Sequence, residues 1–565
     1  MSILSETTTP HTHHGRFILL SILLAATAYL ARFGYDYGFS DQDEFLPLLL
    51  RLIDGSAFAS DWFVNGQLDG FNIRLPLVLT LLPFANMLGI PAAVFLVYVA
   101  SFVFLCWAVF TISLYVADDR LTAMVSTVVT LAVTTVWTLG GNDIVSGMLV
   151  PSQVAWALGL SGAALVLKGR VIPPGVLCGL AVLFQPLVGI HLTLFCCFLR
   201  LLIVWKTLPN RSIALAIRSS IWLPITAILV ASPSLSAIVF EQLNNQVSSE
   251  SLLILTEFRA PHHFVPSAFN TTMAVRFGLL TVIGIGALWT GRRRIQPDRW
   301  FVLTGVLLFS AGLLAVGFIN AGWIHNDMIT KLQLFKFSVL LKMLWVAIIV
   351  NEGFNLVVGK RTEKASKVVS HVASILLAAL LFAGVLAYGL SADNWTYRTI
   401  PAVSDRTDDS NRAEADHMDA RLFDWISRRT SASAIFAIPP DLSGFQMASR
   451  RAQFVSFKAF PYHDNDIKEW YRRILAQSRY DKFESARTGM ELPVVRGAAA
   501  MSEMSNLYES LSGPDIVDFA TRESVDYVLR RRPIAHDSSG SALVEVYRNE
   551  SWFVYDIQQS KENKE

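Results

Sequence analysis

Charged residues and cysteine are both scarce in this chain of 565 residues. Asp, Glu, Lys and Arg make up 16% of it, whereas soluble domains carry about 25%. The four cysteines (Cys106, Cys178, Cys196 and Cys197) all lie inside apolar runs, with spacing typical of neither a disulfide framework nor a metal site. The composition therefore argues against an ordinary soluble protein. The formal net charge of +2 gives no sign of a nucleic-acid partner.

Hydrophobic residues are abundant instead: they make up 53% of the chain and gather in runs of about 20, the length that crosses a bilayer. The candidate spans, about eleven, are 16–34, 92–116, 121–139, 148–167, 171–187, 189–206, 213–235, 274–291, 300–319, 331–351 and 369–390. The segment 73–88 is apolar but short, and two prolines interrupt it, so we expect it to lie at the membrane interface. The sequence predicts a polytopic helical membrane protein.

Basic residues set the orientation, because Lys and Arg gather in cytoplasmic connections. With residues 1–15 as a cytoplasmic tail, basic clusters such as Arg292–Arg294 face the cytoplasm, and the odd number of spans places the C-terminus outside. The apolar run 17–31 has no clear cleavage site after it, which favours an uncleaved signal anchor. We therefore expect a multi-pass protein of a bacterial inner membrane with an extracytoplasmic C-terminus.

The polar tail differs from the span-rich region 16–390. Residues 391–415 are a predicted linker, and 416–565 a predicted globular domain of α/β or α+β type. The segments SAIFAIPP, AQFVSFKAF, VDYVLRR, ALVEVYR and WFVYDIQ are typical of strands. The segments DIKEWYRRILAQ and SEMSNLYESL are typical of helices.

Ionisable residues cluster in the outer connections that this topology defines. The first connection, 35–91, is long and opens with the carboxylates Asp41, Asp43 and Glu44. The candidates in later connections are Asp143, Glu257, Arg259, His262, His263, His325, Asp327, Lys331 and Lys336. An acidic outer loop can simply reflect the charge bias of topology, and a lysine near a helix end can extend to the interface. Ionisable residues within spans are nevertheless rare and usually functional.

In the order of its parts, the chain resembles the GT-C superfamily of integral membrane glycosyltransferases. One span precedes a long outer loop that opens with Asp41-Gln42-Asp43-Glu44, and an interfacial helix, about ten spans and an outer tail follow. The segments VPSQVAWALGLSGAAL, LAVLFQPLVGIHL, FRAPHHFVPSAF, WISRRTSASAIFAIPP, ASRRAQFVSFKAFP and DIKEWYRRI resemble a bacterial, largely uncharacterised GT-C-like family. Where that pattern suggests Phe-His-Pro, this chain has Phe184-Gln185-Pro186.

The resemblance implies transfer of a sugar from a polyprenyl-phosphate donor to a glycan or lipid acceptor at the outer face. Asp41 or Asp43, with Glu44 beside them, would be the general base. Arg259, His262 and His263 would face the phosphate, with Lys331 and Lys336 near the lipid head. Asp143, Glu257, His325 and Asp327 are further candidates for the pocket. No cofactor is expected; the resemblance allows a divalent metal, but no pattern of ligands indicates one.

Two other functions fit the same sequence. A transporter or flippase of a lipid-linked saccharide would need ionisable groups at mid-membrane, and the sequence places most of them near span ends. A non-catalytic GT-C-like scaffold would use the tail to bind partners or glycan. Substitution of Asp41 and Asp43 distinguishes these alternatives from a transferase.

Overall fold

The computed structural model describes residues 12–69, 72–208, 210–244, 249–358, 410–480, 495–534 and 542–558. The chain divides into two compact units. Unit 1 comprises Met1–Asp36, Val94–Val239 and His262–Asp405, and unit 2 comprises Tyr37–Ala93, Phe240–Pro261 and Arg406–Glu565. Most of the predicted first outer loop, 35–91, therefore belongs to the same unit as the C-terminal tail. The predicted boundary between residues 390 and 391 lies outside the described residues.

Unit 1 is helical. The helices that lie mainly in it are Thr12–Phe33, Ile90–Ala117, Arg120–Val128, Pro151–Leu167, Ile172–Phe184, Pro186–Thr207, Ile213–Ser220, Trp222–Asn244, Thr271–Gly291, Pro297–Ile319, Asp327–Lys331 and Phe337–Val358. Across the described ranges, seven helical segments are long and apolar enough to cross a membrane, namely Gly15–Phe33, Ile90–Ala117, Pro186–Thr207, Ile213–Phe240, Thr271–Gly291, Pro297–Ile324 and Asp327–Leu356.

Every predicted span from 16–34 to 331–351 overlaps a described helix. Three of these helices are shorter than the rest: Arg120–Val133, Pro151–Leu167 and Ile172–Phe184. The last predicted span, 369–390, lies outside the described residues. The class of polytopic helical membrane protein is confirmed, and the number of crossings stays a prediction.

The predicted span 121–139 ends earlier in the structure than the sequence suggests. Its α-helix ends at Val128 and a π-helical turn ends at Val133; irregular backbone then continues to Val150. The hydroxyls of Thr134 and Thr135 donate to carbonyls of the preceding turn, a pattern that bends helices. We call residues 134–150 the inner-helix loop.

Unit 2 contains short helices and one sheet. Its helices are Leu46–Ile53, Trp62–Gly66, Leu75–Leu88, Ser249–Leu253, Ser410–Arg429, Phe445–Ser449, Asp464–Ser478, Gly497–Ser510 and Gly513–Glu523. The helix Leu75–Leu88 has 14 residues with Pro83 inside it. At about 1.5 Å per residue it is shorter than the roughly 30 Å hydrocarbon core, as expected of an interfacial helix.

The sheet has five strands: β1 Ile435–Ala437, β2 Ala452–Gln453, β3 Tyr527–Arg530, β4 Leu543–Arg548 and β5 Phe553–Ile557. Their order is β2-β1-β3-β5-β4, in which β1 pairs in parallel with β2 and β3, and β5 pairs antiparallel with β3 and β4. Each predicted strand segment contains one of these strands. Both predicted helices also occur, as Asp464–Ser478 and Gly497–Ser510.

The core of unit 2 determines where a later chain segment lies. Trp470 is fully buried, and its ring centroid lies 5.5 Å from that of Phe457 and 6.1 Å from that of Phe258. Phe258 belongs to the π-helical segment Ile254–Arg259, so burial of its ring fixes this segment within unit 2. Arg259 is positioned as a consequence.

Candidate active site

The acidic motif forms one 3-10 turn, Ser40–Glu44, in unit 2; we call it the acidic turn. The carboxylate of Asp43 accepts hydrogen bonds from the Ser443 hydroxyl at 2.5 Å and from the Gly444 amide at 3.0 Å. Gly444 has a φ of +79°, and a Cβ at this position would lie 2.8 Å from the Gly38 carbonyl oxygen. Only glycine fits there without strain. The acidic turn is therefore held by the tail segment around residue 443.

Asp43 is 4% exposed, which makes it a buried acid. Loss of hydration on burial raises the pKa of Asp43 to about 7, against the opposing hydrogen bonds from Ser443 and Gly444. The neighbouring Glu44 carboxylate contributes in the same direction as burial. Because both carboxylate oxygens accept bonds from within unit 2, Asp43 has the features of a structural residue.

Glu44 pairs with Arg74. The guanidinium donates to the Glu44 carboxylate from Nε at 2.8 Å and from Nη2 at 2.6 Å, and Nη2 also donates to the Phe460 carbonyl. The Arg74 side chain is 9% exposed and that of Glu44 is 23% exposed. A charge-assisted pair of this kind fixes the carboxylate and leaves it less open to a substrate than Asp41.

Asp41 is the most accessible carboxylate of the acidic turn. Its side chain is 56% exposed, and the Lys458 ammonium lies 3.5 Å from its carboxylate. Lys458 follows β2 and is itself 31% exposed. The sequence leaves Asp41 and Asp43 equivalent, whereas their surroundings differ: Asp41 is open to solvent and Asp43 is enclosed.

Arg259 lies within electrostatic reach of the acidic turn. Burial lowers the pKa of its guanidinium, and the Glu44 and Asp41 carboxylates act in the opposite direction. The guanidinium carbon lies 5.2 Å from the Phe457 ring centroid, and Nη2 donates to the Lys458 carbonyl at 3.5 Å. The buried Nε has no hydrogen-bond partner among the described residues. The predicted carboxylates and the predicted arginine are thus brought together inside unit 2.

Glu257, two residues before Arg259, pairs with a residue of the tail. Its carboxylate forms an ion pair with Arg496, which precedes the helix Gly497–Ser510. The side chains of the pair are 26% and 49% exposed for Glu257 and Arg496, respectively. This pair ties the π-helical segment to the tail at the surface of the unit.

His262 and His263 lie in unit 1, against the inner-helix loop. The Nδ1 of His263 lies 2.5 Å from the Gly140 carbonyl oxygen, and the centroids of the two histidine rings are 4.1 Å apart. Gly140 and Gly141 both have positive φ angles there. The histidines contact the loop that contains Asp143, another predicted site residue.

Asp143 is paired within unit 1. Its carboxylate forms an ion pair with Lys342, which also donates to the Thr134 carbonyl at 3.1 Å. The Lys342 side chain is fully buried and that of Asp143 is 7% exposed. A carboxylate neutralised in this way stabilises the loop, and it is poorly placed to bind a further cation or substrate hydroxyl.

The other predicted residues of unit 1 differ in burial. His325 and Asp327 are exposed, and neither side chain forms an ion pair within the described ranges. Lys331 is half-buried at the end of the helix Asp327–Lys331. Lys336 is 7% exposed, in the 3-10 turn that precedes the helix Phe337–Val358. The structure does not group His325 and Asp327 with the histidines.

Sequence reasoning missed several residues of these networks. Lys458 and Arg74 contact the acidic turn, and Ser443 and Gly444 hold it. Lys458 lies in the segment AQFVSFKAF, whose basic and aromatic character was a usable signal. Gln185 stands where the resemblance suggests histidine, and its side chain accepts from the Val188 amide at 2.9 Å as a helix cap.

No group of three or more His, Cys, Asp or Glu within the described part of the chain could hold a metal ion. The rings of His262 and His263 are neighbours, but two ligands from adjacent residues do not make such a group. Three of the predicted acids instead pair with basic residues or with backbone amides, namely Asp43, Glu44 and Asp143.

Comparisons with known proteins bear on both units. Residues 419–476, in unit 2, match the family model described as Domain of unknown function (DUF6798). This range includes the segments that contain Gly444 and Lys458. No curated protein matches the chain.

Among solved structures, the chain is similar to the archaeal oligosaccharyltransferase AglB from Archaeoglobus fulgidus, solved in complex with an inhibitory peptide and a dolichol-phosphate. The TM-score is 0.50 at 11% sequence identity, over 92% of this chain and 69% of that one. The chain therefore shares the overall fold of that membrane protein.

Proposed function

We propose that the protein is a membrane glycosyltransferase that moves a sugar from a polyprenyl-phosphate donor to the hydroxyl of a glycan or lipid acceptor. Asp41 is the general base in this proposal, and Arg259 stabilises the departing phosphate. We place the reaction at the periplasmic face of a bacterial inner membrane. The role of His262, His263, Lys331 and Lys336 as ligands of the donor phosphate stays a prediction.

The accessibility of Asp41 within a fixed acidic turn carries the proposal. A general base must lie within hydrogen-bond reach of the acceptor proton, so it must be open to the substrate and held in position. The Asp41 side chain is 56% exposed, while Asp43 and Glu44 hold the turn on either side of it through Ser443, Gly444 and Arg74. We therefore assign Asp43 and Glu44 to positioning and Asp41 to proton transfer.

The proposed reaction gives both the proton and the leaving group a destination. The acceptor oxygen attacks the anomeric carbon while its proton passes to the Asp41 carboxylate. The bond between the anomeric carbon and the phosphate oxygen breaks, and the phosphate leaves with that electron pair. The cationic Arg259 near Asp41 and Glu44 is suited to stabilise negative charge that develops on the phosphate.

Two further observations support the assignment. The structurally similar AglB was solved with a dolichol-phosphate, which is a polyprenol-type lipid phosphate. Within unit 1, basic side chains of His263 and Lys336 accompany helices long enough to cross a membrane, where a lipid carrier would lie. Both are compatible with a lipid-linked donor.

The test is Asp41→Asn in the full-length protein, reconstituted with a polyprenyl-phosphate sugar and a lysate fraction that supplies acceptors. We expect donor consumption to fall by about 10²–10⁴-fold, the usual contribution of a general base. Asp69→Asn is the matched control, because Asp69 is an exposed acid of the same predicted loop, and it should retain full activity. Unchanged donor consumption with Asp41→Asn would exclude Asp41 as the base. Movement of the donor between leaflets without its consumption would favour a flippase.

A further inference from the structure

Two lysines six residues apart in unit 1 are both buried, and only one has an internal partner. Lys342 is fully buried and forms an ion pair with Asp143. Lys336 is 7% exposed, and its ammonium makes no hydrogen bond or ion pair with any described residue. An unpaired buried charge costs several kcal/mol, so such a group generally has a counter-ion.

His191 lies close to Lys336. It is 2% exposed, on the second turn of the helix Pro186–Thr207. Neither ring nitrogen has a well-aligned hydrogen-bond partner among the described residues, and the backbone carbonyl of Leu332 is the one acceptor that acts on the ring. Its ring centroid lies 4.8 Å from that of Phe337, the residue after Lys336. The ammonium of Lys336 acts electrostatically on the ring. Two groups that can donate hydrogen bonds therefore lie close together, and the Leu332 carbonyl can accept from only one nitrogen of the His191 ring.

We propose that His191 and Lys336 form an anion site for the single phosphate group of a lipid carrier. This inference rests on the proposed function and specifies its donor. Lys336 supplies the balancing positive charge, and one ring nitrogen of His191 donates a hydrogen bond to a phosphate oxygen. Both side chains belong to helical segments apolar enough to span a membrane. A lipid carrier would lie at the same depth.

Charge matching narrows the class of carrier. A phosphodiester between a sugar and a polyprenol carries one negative charge, which one buried ammonium neutralises. A pyrophosphate-linked carrier carries two, and within the described residues no further cation is close enough to act on His191. The site therefore takes a sugar linked to the polyprenol through one phosphate in preference to a sugar linked through a pyrophosphate.

The test is binding without turnover, with the full-length protein in nanodiscs. The probes are a polyprenyl-phosphate sugar, a polyprenyl-pyrophosphate sugar and inorganic phosphate, and the variants are Lys336→Met, His191→Leu and His191→Gln. We expect the polyprenyl-phosphate sugar to bind best, and Lys336→Met and His191→Leu each to weaken its binding by about tenfold or more. His191→Gln, which keeps a donor, should recover part of the loss. Lys168→Met removes a half-buried lysine that faces Trp107 and should change nothing.

Thermal unfolding without lipid separates ligand binding from a structural role. Removal of an unpaired buried charge should leave the melting temperature of Lys336→Met unchanged or higher. A lower melting temperature with unchanged lipid binding would overturn the site, and so would equal affinity for inorganic phosphate and the lipid. Because this assay needs no acceptor, loss of the anion site is distinguishable from loss of transferase activity: an Asp41→Asn protein should still bind the lipid.

Discussion

The acidic turn of unit 2 and the inner-helix loop of unit 1 use carboxylates in opposite ways. In the acidic turn, Asp43 and Glu44 are engaged by Gly444 and Arg74, and Asp41 is left 56% exposed. In the inner-helix loop, the carboxylate of Asp143 is enclosed and neutralised by Lys342. The first arrangement presents an acid to solvent, and the second stabilises a helix break inside a membrane protein.

This difference shows what decides the role of an acid in this fold. Asp143 and Asp41 both follow predicted outer ends of spans, so their positions along the chain do not separate them. Their partners do, because a buried acid with its own counter-charge is closed to a substrate, while an exposed acid in a fixed turn can be reached by one. The presence of a counter-charge also distinguishes Lys342, which pairs with Asp143, from Lys336.

The largest change in stability should come from breaking the buried pair of the inner-helix loop. Lys342→Met leaves the Asp143 carboxylate buried without its counter-charge and removes the donor to the Thr134 carbonyl. We expect a loss of about 3–5 kcal/mol in the free energy of unfolding. Reversible unfolding of the full-length protein in detergent would measure it.

A double variant tests whether the charge is the cause. Lys342→Met combined with Asp143→Asn has no uncompensated charge and should recover much of the stability lost in the single variant. Asp41→Asn, at the exposed acid, should change the free energy of unfolding by less than about 0.5 kcal/mol. If the double variant were as unstable as Lys342→Met, the packing of Lys342 would matter more than its charge.

A smaller effect should come from Asp43 in the acidic turn, as a dependence of the free energy of unfolding on pH. The folded-state pKa of Asp43 is raised to about 7 from an ordinary value near 4. Between these values the folded protein keeps a proton that the unfolded chain releases, so stability falls as pH rises from about 4 to about 7. Relative to Asp43→Asn, the wild type should lose about 2 kcal/mol between pH 5 and pH 7.

Comparison of the two proteins at each pH removes the contribution of other acids. Asp43→Asn keeps an acceptor for the Gly444 amide and does not titrate, so it represents the protonated state. Asp69→Asn should follow the wild type at every pH. Parallel stability curves for Asp43→Asn and the wild type would show that Asp43 does not titrate in this range.

The helices and strands of this fold could be predicted from the sequence, but the contacts between distant parts of the chain could not. Apolar runs and alternating strands are local patterns, so the helices of unit 1 and all five strands were anticipated. Asp43 and Gly444 are 401 residues apart, and Asp143 and Lys342 are 199 apart. No local pattern states which distant segment will pack against a given residue.

The acidic motif shows the same limit at the scale of single residues. Asp41 and Asp43 are equivalent in Asp-Gln-Asp-Glu, and only the tail segment around Ser443 distinguishes them. His191 stood in a segment recognised by resemblance, but a histidine in an apolar run gives no sign of whether its ring is satisfied. The predicted donor ligands also fall into both units, a division that the order of spans did not indicate.

The smallest effect should come from the surface pair Arg496–Glu257. Its side chains are 49% and 26% exposed, and exposed ion pairs typically contribute 0–1 kcal/mol. We therefore expect Arg496→Ala to lower the free energy of unfolding by less than about 1 kcal/mol, and the coupling in a double-mutant cycle with Glu257→Gln to vanish in high salt. A coupling above about 2 kcal/mol that persisted in salt would mean that Glu257 shares the buried electrostatic network of Arg259. In that case exposure of a carboxylate would not be enough to show that it lies outside the buried network, and Glu257 would be coupled to the acidic turn.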